Sequence, residues 1–336
     1  MTGNIVDRLL ASEEPSIRWK TRTGVLGESP TSPASRRLRR EIRESPRVQA
    51  LLAAREGRGP LGEGRDVYSK WYGTHWMIAS LADLGYPPGD LALIPARDRL
   101  MERWLADGFY QEFETGSKAQ AYRRRGVPIM RGRHRRCASQ QSNALWSVLT
   151  LGIADERASD LVERLLHWQW PDGGWNCDRR PEAQSSSFME SVIPLRALAL
   201  VARDTGQRDA AAAARRAVEL FLERRLFRKR RDGSVIHRQF VALHYPLYWH
   251  YDILAGLVAM TEAGVLDDPR CRDALDLLES KRLPDGGWPA EGRYYKLSNE
   301  LTNGTELVDW GGTSKRRTNE WVTVDALRVL QAAGRL

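Results

Sequence analysis

The chain has little cysteine and no long hydrophobic run. Only Cys137, Cys177 and Cys271 stand among 336 residues, which favours a reducing compartment over folding that depends on disulfides. No apolar run approaches the length of a membrane span, and residues 1–14 are too polar and charged for a signal peptide. These absences predict a cytoplasmic protein without a transmembrane segment.

Strand-like alternation is also nearly absent, whereas apolar residues often recur every three or four positions, which is the helix period. Five such segments end in a small residue or glycine. They span residues 71–85, 137–152, 185–201, 244–264 and 317–334. The most apolar of them are hydrophobic nearly all round, as in buried helices, while the helices between them keep a polar face. The pattern predicts an all-α fold with inner and outer layers of helices.

One turn signature occurs twice, as Asp172-Gly173-Gly174-Trp175 and as Asp285-Gly286-Gly287-Trp288, each time directly after a proline. The proline ends the preceding helix, Asp-Gly favours a tight turn with positive φ on glycine, and the tryptophan anchors the turn with a large apolar surface. A duplicated turn at long range indicates a repeat architecture.

Helices that alternate around such turns resemble the terpenoid cyclase and protein prenyltransferase superfamily. The chain is most similar to short bacterial prenyltransferase-like and squalene-cyclase-like proteins. The resembling stretches are Glu14-Pro15-Ser16-Ile17-Arg18, residues 73–76, 174–177, 225–227 and 249–252, and the second turn. The resemblance implies an α/α toroid, formed here by residues 67–336. Residues 1–66 would be an N-terminal helical extension, with a glycine-rich link at 57–64.

The sequence departs from the better-known members of that superfamily in its acidic motifs. No Asp-x-Asp-Asp stands on a predicted helix, since Asp267 and Asp268 fall in a loop, and no Asp-Asp-x-x-Asp is present. Protonation-started cyclisation of squalene is therefore poorly supported. Transferase and cyclase or lyase reactions both remain open.

Polar residues gather where the inner helices begin, around one expected mouth of the toroid. Cys137, Cys177 and His250 are predicted to bind zinc with an open fourth position, with His244 as the alternative to His250. Lanthionine cyclases and protein prenyltransferases, which hold zinc on similar toroids, support this by analogy. The alternative is that the cysteines are small buried hydrophobic residues. The predicted catalytic residues are Asp252, His250, Glu190, His75 and Asp178, whereas His134, His167 and His237 are expected to be solvated or secondary.

The net charge of +9 favours an anionic partner. Basic runs at residues 123–136, 228–231 and 315–317 each precede an inner helix, where helix N-termini add positive charge. They predict an electropositive rim that binds a phosphate or diphosphate. Its contributors would be Arg124, Arg135, Arg136, Arg230, Arg316 and Arg317, and the alternative is a set of solvated loops.

Aromatic residues follow the same helices. Trp76, Trp249, Tyr251 and Trp321 are expected to line the cavity, where they would hold an isoprenoid-like chain or stabilise a cation, unless they simply pack the core. The leading hypothesis is an enzyme acting in the central cavity on a small, anionic and partly apolar substrate. A nucleic-acid-binding helical repeat protein and a non-catalytic scaffold are the alternatives.

Overall fold

The computed structural model describes residues 2–53, 67–298, 300 and 302–336. The protein is mainly helical, as predicted, with one small β-sheet. The helices are α1 (Thr2–Leu10), α2 (Pro15–Lys20), α3 (Pro33–Glu44), α4 (Pro46–Ala53), α5 (Thr74–Leu84), α6 (Ile94–Trp104), α7 (Lys118–Arg123), α8 (Ala138–Thr150), α9 (Arg157–His167), α10 (Phe188–Thr205), α11 (Arg208–Leu222), α12 (Ile253–Glu262), α13 (Arg272–Ser280) and α14 (Glu320–Ala332). Within this part of the chain, no helix has both the length and the apolar character needed to cross a membrane.

The helices fall into a buried set and a half-exposed set. Helices α5, α8, α10, α12 and α14 are buried on nearly every side, and each packs against the next in this order. Helices α6, α9, α11 and α13 bury one face against them. The predicted inner and outer helices are therefore present, because an all-round apolar surface is stable only when it is covered on all sides.

The N-terminal helices pack on the rest of the molecule. Helix α2 and the π-helical turn Thr21–Val25 contact α14, and Ile5, Ile17 and Val48 belong to the same hydrophobic cluster as the later helices. The predicted boundary between residues 66 and 67 falls at the edge of the described residues. The predicted glycine-rich link at 57–64 lies outside them.

Helix α12 begins later than the sequence predicts. The apolar pattern favours a helix from residue 244, but α12 starts at Ile253, where the Asp252 carboxylate accepts a hydrogen bond from the Ala255 N–H at 2.8 Å and caps the helix. Residues 244–252 are irregular. Pro246 explains the difference, because proline lacks the N–H that a helix interior requires and restricts the residue before it.

The β-sheet is an addition that the sequence pattern did not predict. It joins β1 (Glu112–Glu114), β2 (Val127–Met130) and β3 (Arg133–His134), with β1 parallel and β3 antiparallel to β2. Arg131 and Gly132 both have positive φ and form the tight turn between β2 and β3. These strands are too short for an alternating pattern to stand out.

Both Asp-Gly-Gly-Trp turns have the predicted geometry. Gly173 has a φ of +92° and Gly286 a φ of +87°. Trp175 and Trp288 are fully buried, and each indole N–H donates to a carbonyl of the preceding outer helix, Leu165 at 2.9 Å and Leu278 at 2.7 Å. Each turn thereby links an outer helix to the next inner one.

Candidate active site

The first Asp-Gly-Gly-Trp turn brings together three chemically reactive side chains. Cys177 follows Trp175 by two residues, Cys137 is the N-terminal cap residue of α8, and Glu190 lies in the first turn of α10. The Cys177 thiol donates a hydrogen bond to Glu190 Oε1 at 3.6 Å. One ligand atom from each of the three residues lies within 4.8 Å of the others. Both cysteines are half-buried, so this cluster borders solvent.

Glu190 is held from several directions. Its Oε2 accepts hydrogen bonds from the Ser139 N–H at 3.2 Å and the Ser139 hydroxyl at 2.8 Å, and its Oε1 accepts one from the Trp249 indole at 3.3 Å. Burial raises the pKa of Glu190, and these hydrogen bonds only partly offset that effect. The carboxyl group therefore caps α8 and at the same time faces the two thiols.

The electrostatics of the cluster favour the protonated form of Cys177 in the free protein. The hydrogen bond to Cys137 and burial, together with the nearby Glu190 charge, raise the pKa of the Cys177 thiol well above its ordinary value. A bound cation would invert this preference, because metal coordination deprotonates thiols. Two sulfurs and one carboxylate form a donor set that zinc accepts, with a fourth position left open.

Arg136 lies beside this cluster and is buried. Its Nε donates to Gln141 Oε1 at 3.1 Å, and its guanidinium carbon is 4.7 Å from the centre of the Phe109 ring. Among the described residues, its Nη2 has no hydrogen-bond partner. Burial lowers the pKa of the Arg136 guanidinium, and negative charge on the neighbouring Cys137, Glu190 or Cys177 would oppose that effect. A buried cationic nitrogen without a partner indicates a place for an anionic group.

His250 does not belong to the cysteine cluster, so its prediction as the third ligand is wrong. Its ring stacks on Tyr294 with a centroid separation of 3.6 Å, and burial, with the charges of His244 and Lys70, lowers its pKa to about 3. His250 lies beside Tyr294 because it belongs to the irregular segment before α12. The sequence pattern predicts a helix from residue 244 instead. Glu190 takes the third position beside Cys137 and Cys177.

His244 and Asp252 form a buried pair behind His250. The Asp252 Oδ2 accepts the His244 backbone N–H at 2.8 Å and lies 2.6 Å from His244 Nδ1. The adjoining cavity, which Glu306 and Tyr294 also line, has a volume of about 10 Å³. It is too small for an organic substrate. Asp252 therefore acts here as a helix cap and a partner of His244.

The other two predicted catalytic residues are not part of the thiol cluster. His75 is buried, its Nδ1 accepts a hydrogen bond from the Trp104 indole at 3.2 Å, and burial lowers its pKa to about 3. Asp178 pairs with Arg180 at 2.6 Å, and that hydrogen bond lowers the Asp178 pKa. His75 thus packs in the core, and Asp178 lies in a partly exposed ion pair next to Cys177.

The predicted aromatic residues divide between two environments. Trp249 borders the cysteine cluster, and the Lys70 ammonium group lies 4.6 Å from the centre of its ring. Trp76 is buried among other rings, Trp321 stacks on Tyr245, and the Tyr251 hydroxyl donates to the Leu226 carbonyl at 2.7 Å within the core. Only Trp249 of this set contacts a residue of the cluster among the contacts that the structure describes.

The predicted arginines do not converge on one pocket. Arg136 lies at the cysteines, whereas Arg230 pairs with Glu223 at 3.1 Å in a separate depression, and Arg317 lines a third one beside Trp321. Arg135 is buried, with its guanidinium 4.5 Å from the Trp170 ring centre, and Arg124 and Arg316 are exposed. The three basic runs precede inner helices as expected, but the loops that carry them place their side chains in separate parts of the molecule.

A cavity of about 170 Å³ lies among the inner helices, and the sequence did not signal it as a site. Its charged lining residues are Lys20, Asp83, Arg196, Glu262, Asp325 and Arg328. They pair with one another, as in the Arg196–Glu262 contact at 2.6 Å. The sequence does contain one signal of this cavity, namely single charged residues inside otherwise apolar helices. Charged side chains are rarely buried unless they are paired, so such residues indicate an internal polar space.

The irregular segment before α12 occupies much of the space between the inner helices. The Tyr245 hydroxyl contacts Asp83 of α5 and lies 3.0 Å from the Lys20 ammonium, and the Tyr248 hydroxyl contacts Ser80. Leu247 reaches the 170 Å³ cavity. The protein's own side chains therefore occupy part of the space where an aromatic-lined chamber is expected, and the cavity of about 170 Å³ lies beside them.

No family model matches the chain, and no curated protein sequence is significantly similar to it.

Proposed function

We propose that this protein is a metal-assisted enzyme of α/α toroid architecture, with Cys137, Cys177 and Glu190 as its metal ligands. The observation that carries the proposal is the convergence of two half-buried thiols and one buried carboxylate beside Arg136. Zinc is the ion that best fits these donors. When bound, it would supply a Lewis acid and a pair of activated thiolates.

The toroid part of the proposal rests on the order of helix contacts. Helices α5, α8, α10, α12 and α14 pack in succession, and α14 contacts α2. Lys20 at the end of α2 lies 3.2 Å from Asp83 of α5 and 3.9 Å from Asp325 of α14, which links the last helix of the series to the first. A closed ring of inner helices covered by outer helices accounts for these contacts.

The chain's own residues would bind the substrate at the mouth. The Trp249 ring offers an apolar face, and Lys70 and the unpartnered Nη2 of Arg136 supply positive charge for a phosphate or diphosphate group. Hydrogen bonds from Ser139 and Trp249 fix the direction of the Glu190 carboxyl group. A small substrate with an anionic group and an apolar part fits these features, and an interior cavity of about 170 Å³ is small for a long isoprenoid chain.

Metal analysis of the full-length protein tests the proposal. We expect freshly purified protein to hold zinc, and Co²⁺-substituted protein to show a sulfur-to-cobalt charge-transfer band in the near ultraviolet. Cys177→Ser and the double variant Cys137→Ser/Cys177→Ser should lose the thiolate-bound ion and the band, while Glu190→Gln should weaken binding at that site. Cys271→Ser is the matched control, because Cys271 ends the short 3-10 helix Pro269–Cys271 before α13, has its thiol near the Val265 carbonyl and belongs to neither group of metal-ligand side chains.

Two results would overturn the proposal. One is a double cysteine variant that holds as much zinc as the wild-type protein, and the other is the absence of a thiolate band in the wild-type Co²⁺ protein. Pyrophosphate serves as the anion probe, and its affinity should fall in Lys70→Gln and in Arg136→Gln. A metal-free protein that binds DNA with a steep salt dependence would support the nucleic-acid alternative instead.

A further inference from the structure

A second group of metal-ligand side chains lies at the small β-sheet. It consists of Glu112 on β1, His134 on β3 and His167, the last residue of α9. Glu112 Oε1 is 2.9 Å from His167 Nε2, and Glu112 Oε2 is 3.4 Å from His134 Nε2. One ligand atom from each residue lies within 4.8 Å of the others. The two imidazole rings are adjacent, with centroids 4.5 Å apart.

The sheet register explains why Glu112 and His134 face the same way. Glu112 pairs with Val127 and His134 pairs with Ile129, two residues further along β2. Residues two apart in a strand point to the same face, so their cross-strand partners share that face. Helix α9 ends beside this face and contributes His167. The carbonyl end of a helix carries partial negative charge, which favours a cation there.

Two tryptophans hold the group in place. The Trp168 indole N–H donates to Glu112 Oε1 at 3.1 Å, and the Trp170 indole N–H donates to the His134 carbonyl at 2.8 Å. Both residues directly precede the first Asp-Gly-Gly-Trp turn. An outer hydrogen bond to a ligating carboxylate is a regular feature of metal sites, because it fixes the orientation of the ligand.

We infer that Glu112, His134 and His167 bind a divalent first-row transition-metal ion, at a site separate from Cys137 and Cys177. Two imidazole nitrogens and one carboxylate leave coordination positions open and suit zinc, iron, manganese or cobalt rather than a thiolate-seeking ion. The His167 side chain is 51% exposed, so the site is open to solvent. Bound metal would add a link between the sheet and the end of α9. Glu112 already connects the two through its hydrogen bonds with His167 and Trp168.

Co²⁺ titration in the Cys137→Ser/Cys177→Ser background tests this inference independently of the thiolate site. We expect one equivalent of Co²⁺ to bind with a visible ligand-field spectrum and no sulfur-to-cobalt charge-transfer band. Binding should also raise the melting temperature, because the ion binds only the folded protein. Adding His134→Ala, His167→Gln or Glu112→Gln should each reduce the affinity at least tenfold.

His237→Ala in the same background is the matched control, because His237 is exposed and lies in neither group. His167→Gln is the variant least expected to disturb folding, since half of that side chain is exposed. A Cys137→Ser/Cys177→Ser protein that binds no Co²⁺, or one whose affinity falls equally in His237→Ala, would overturn the inference. Absence of the thiolate band from the wild-type Co²⁺ protein, with this nitrogen and oxygen site retained, would refute the proposed function alone.

Discussion

The two Asp-Gly-Gly-Trp turns share a hydrogen-bond scheme but differ in the chemistry they display. In the first turn, the backbone N–H of Trp175 donates to the Ser191 hydroxyl at 2.9 Å. In the second, the backbone N–H of Trp288 donates to the Thr323 hydroxyl at 2.8 Å. Both hydroxyls stand four residues after the helix cap, and the cap residue's N–H donates to the same tryptophan's carbonyl in each case. The scheme is therefore a scaffold used twice.

The difference lies in two positions. Cys177 follows the first tryptophan by two residues, where the second turn has Ala290, and Glu190 stands three residues after the cap of α10, where α14 has Val322. One turn thus places a thiol next to a carboxylate, and the other places two apolar side chains at the same sites. The comparison separates the residues that hold the fold from those that would carry the chemistry.

Substituting the two tryptophans should give the largest effects. Trp175→Ala and Trp288→Ala each remove a fully buried ring, and each should cost about 3–5 kcal/mol of unfolding free energy in urea titration. Only the first should also abolish the cobalt–thiolate band, since Cys177 is two residues away. Trp175→Phe and Trp288→Phe are the milder pair if the alanine variants do not fold. Equal loss of the band in both would refute the separation.

The first glycines of the turns should differ in sensitivity, although both have positive φ. A Cβ at Gly173 would lie 2.2 Å from the Arg216 carbonyl oxygen, whereas at Gly286 the nearest atom is a side-chain carbon of Ile5 at 3.3 Å. Both alanine variants carry backbone strain of about 1–3 kcal/mol, and Gly173→Ala adds a collision with the backbone. Thermal unfolding should rank Gly173→Ala clearly below Gly286→Ala, and the reverse order would contradict the geometry.

The long segment after the second turn buries a carboxyl group without a thiol, which sharpens the contrast with Glu190. Burial raises the pKa of Glu306 to about 8. The folded state therefore binds more protons than the unfolded state between the ordinary pKa of glutamate and pH 8, and its stability falls as pH rises through that window. Relative to wild type, Glu306→Gln should gain about 1.4 kcal/mol between pH 6 and pH 7. An unchanged difference would show that Glu306 is ionised.

Much of the fold could be predicted from helix periodicity and from the repeated turn, but contacts across helices could not. The closeness of Cys137 and Cys177 followed from their places beside inner helices. The prediction of His250 as a metal ligand is wrong because the apolar pattern from residue 244 favours a helix. Pro246 in the sequence argues against a helix at that point. The Glu112–His134–His167 group depends on the register of three short strands, and no local spacing in the sequence encodes it.

The segment between His244 and Asp252 has a consequence for what can enter the fold. It is tethered at both ends, so it presents its side chains to the interior at an effective concentration on the order of millimolar. Any free molecule that seeks that space must outcompete an occupant which cannot diffuse away. Shortening this segment should therefore enlarge the cavity of about 170 Å³ that Leu247 lines.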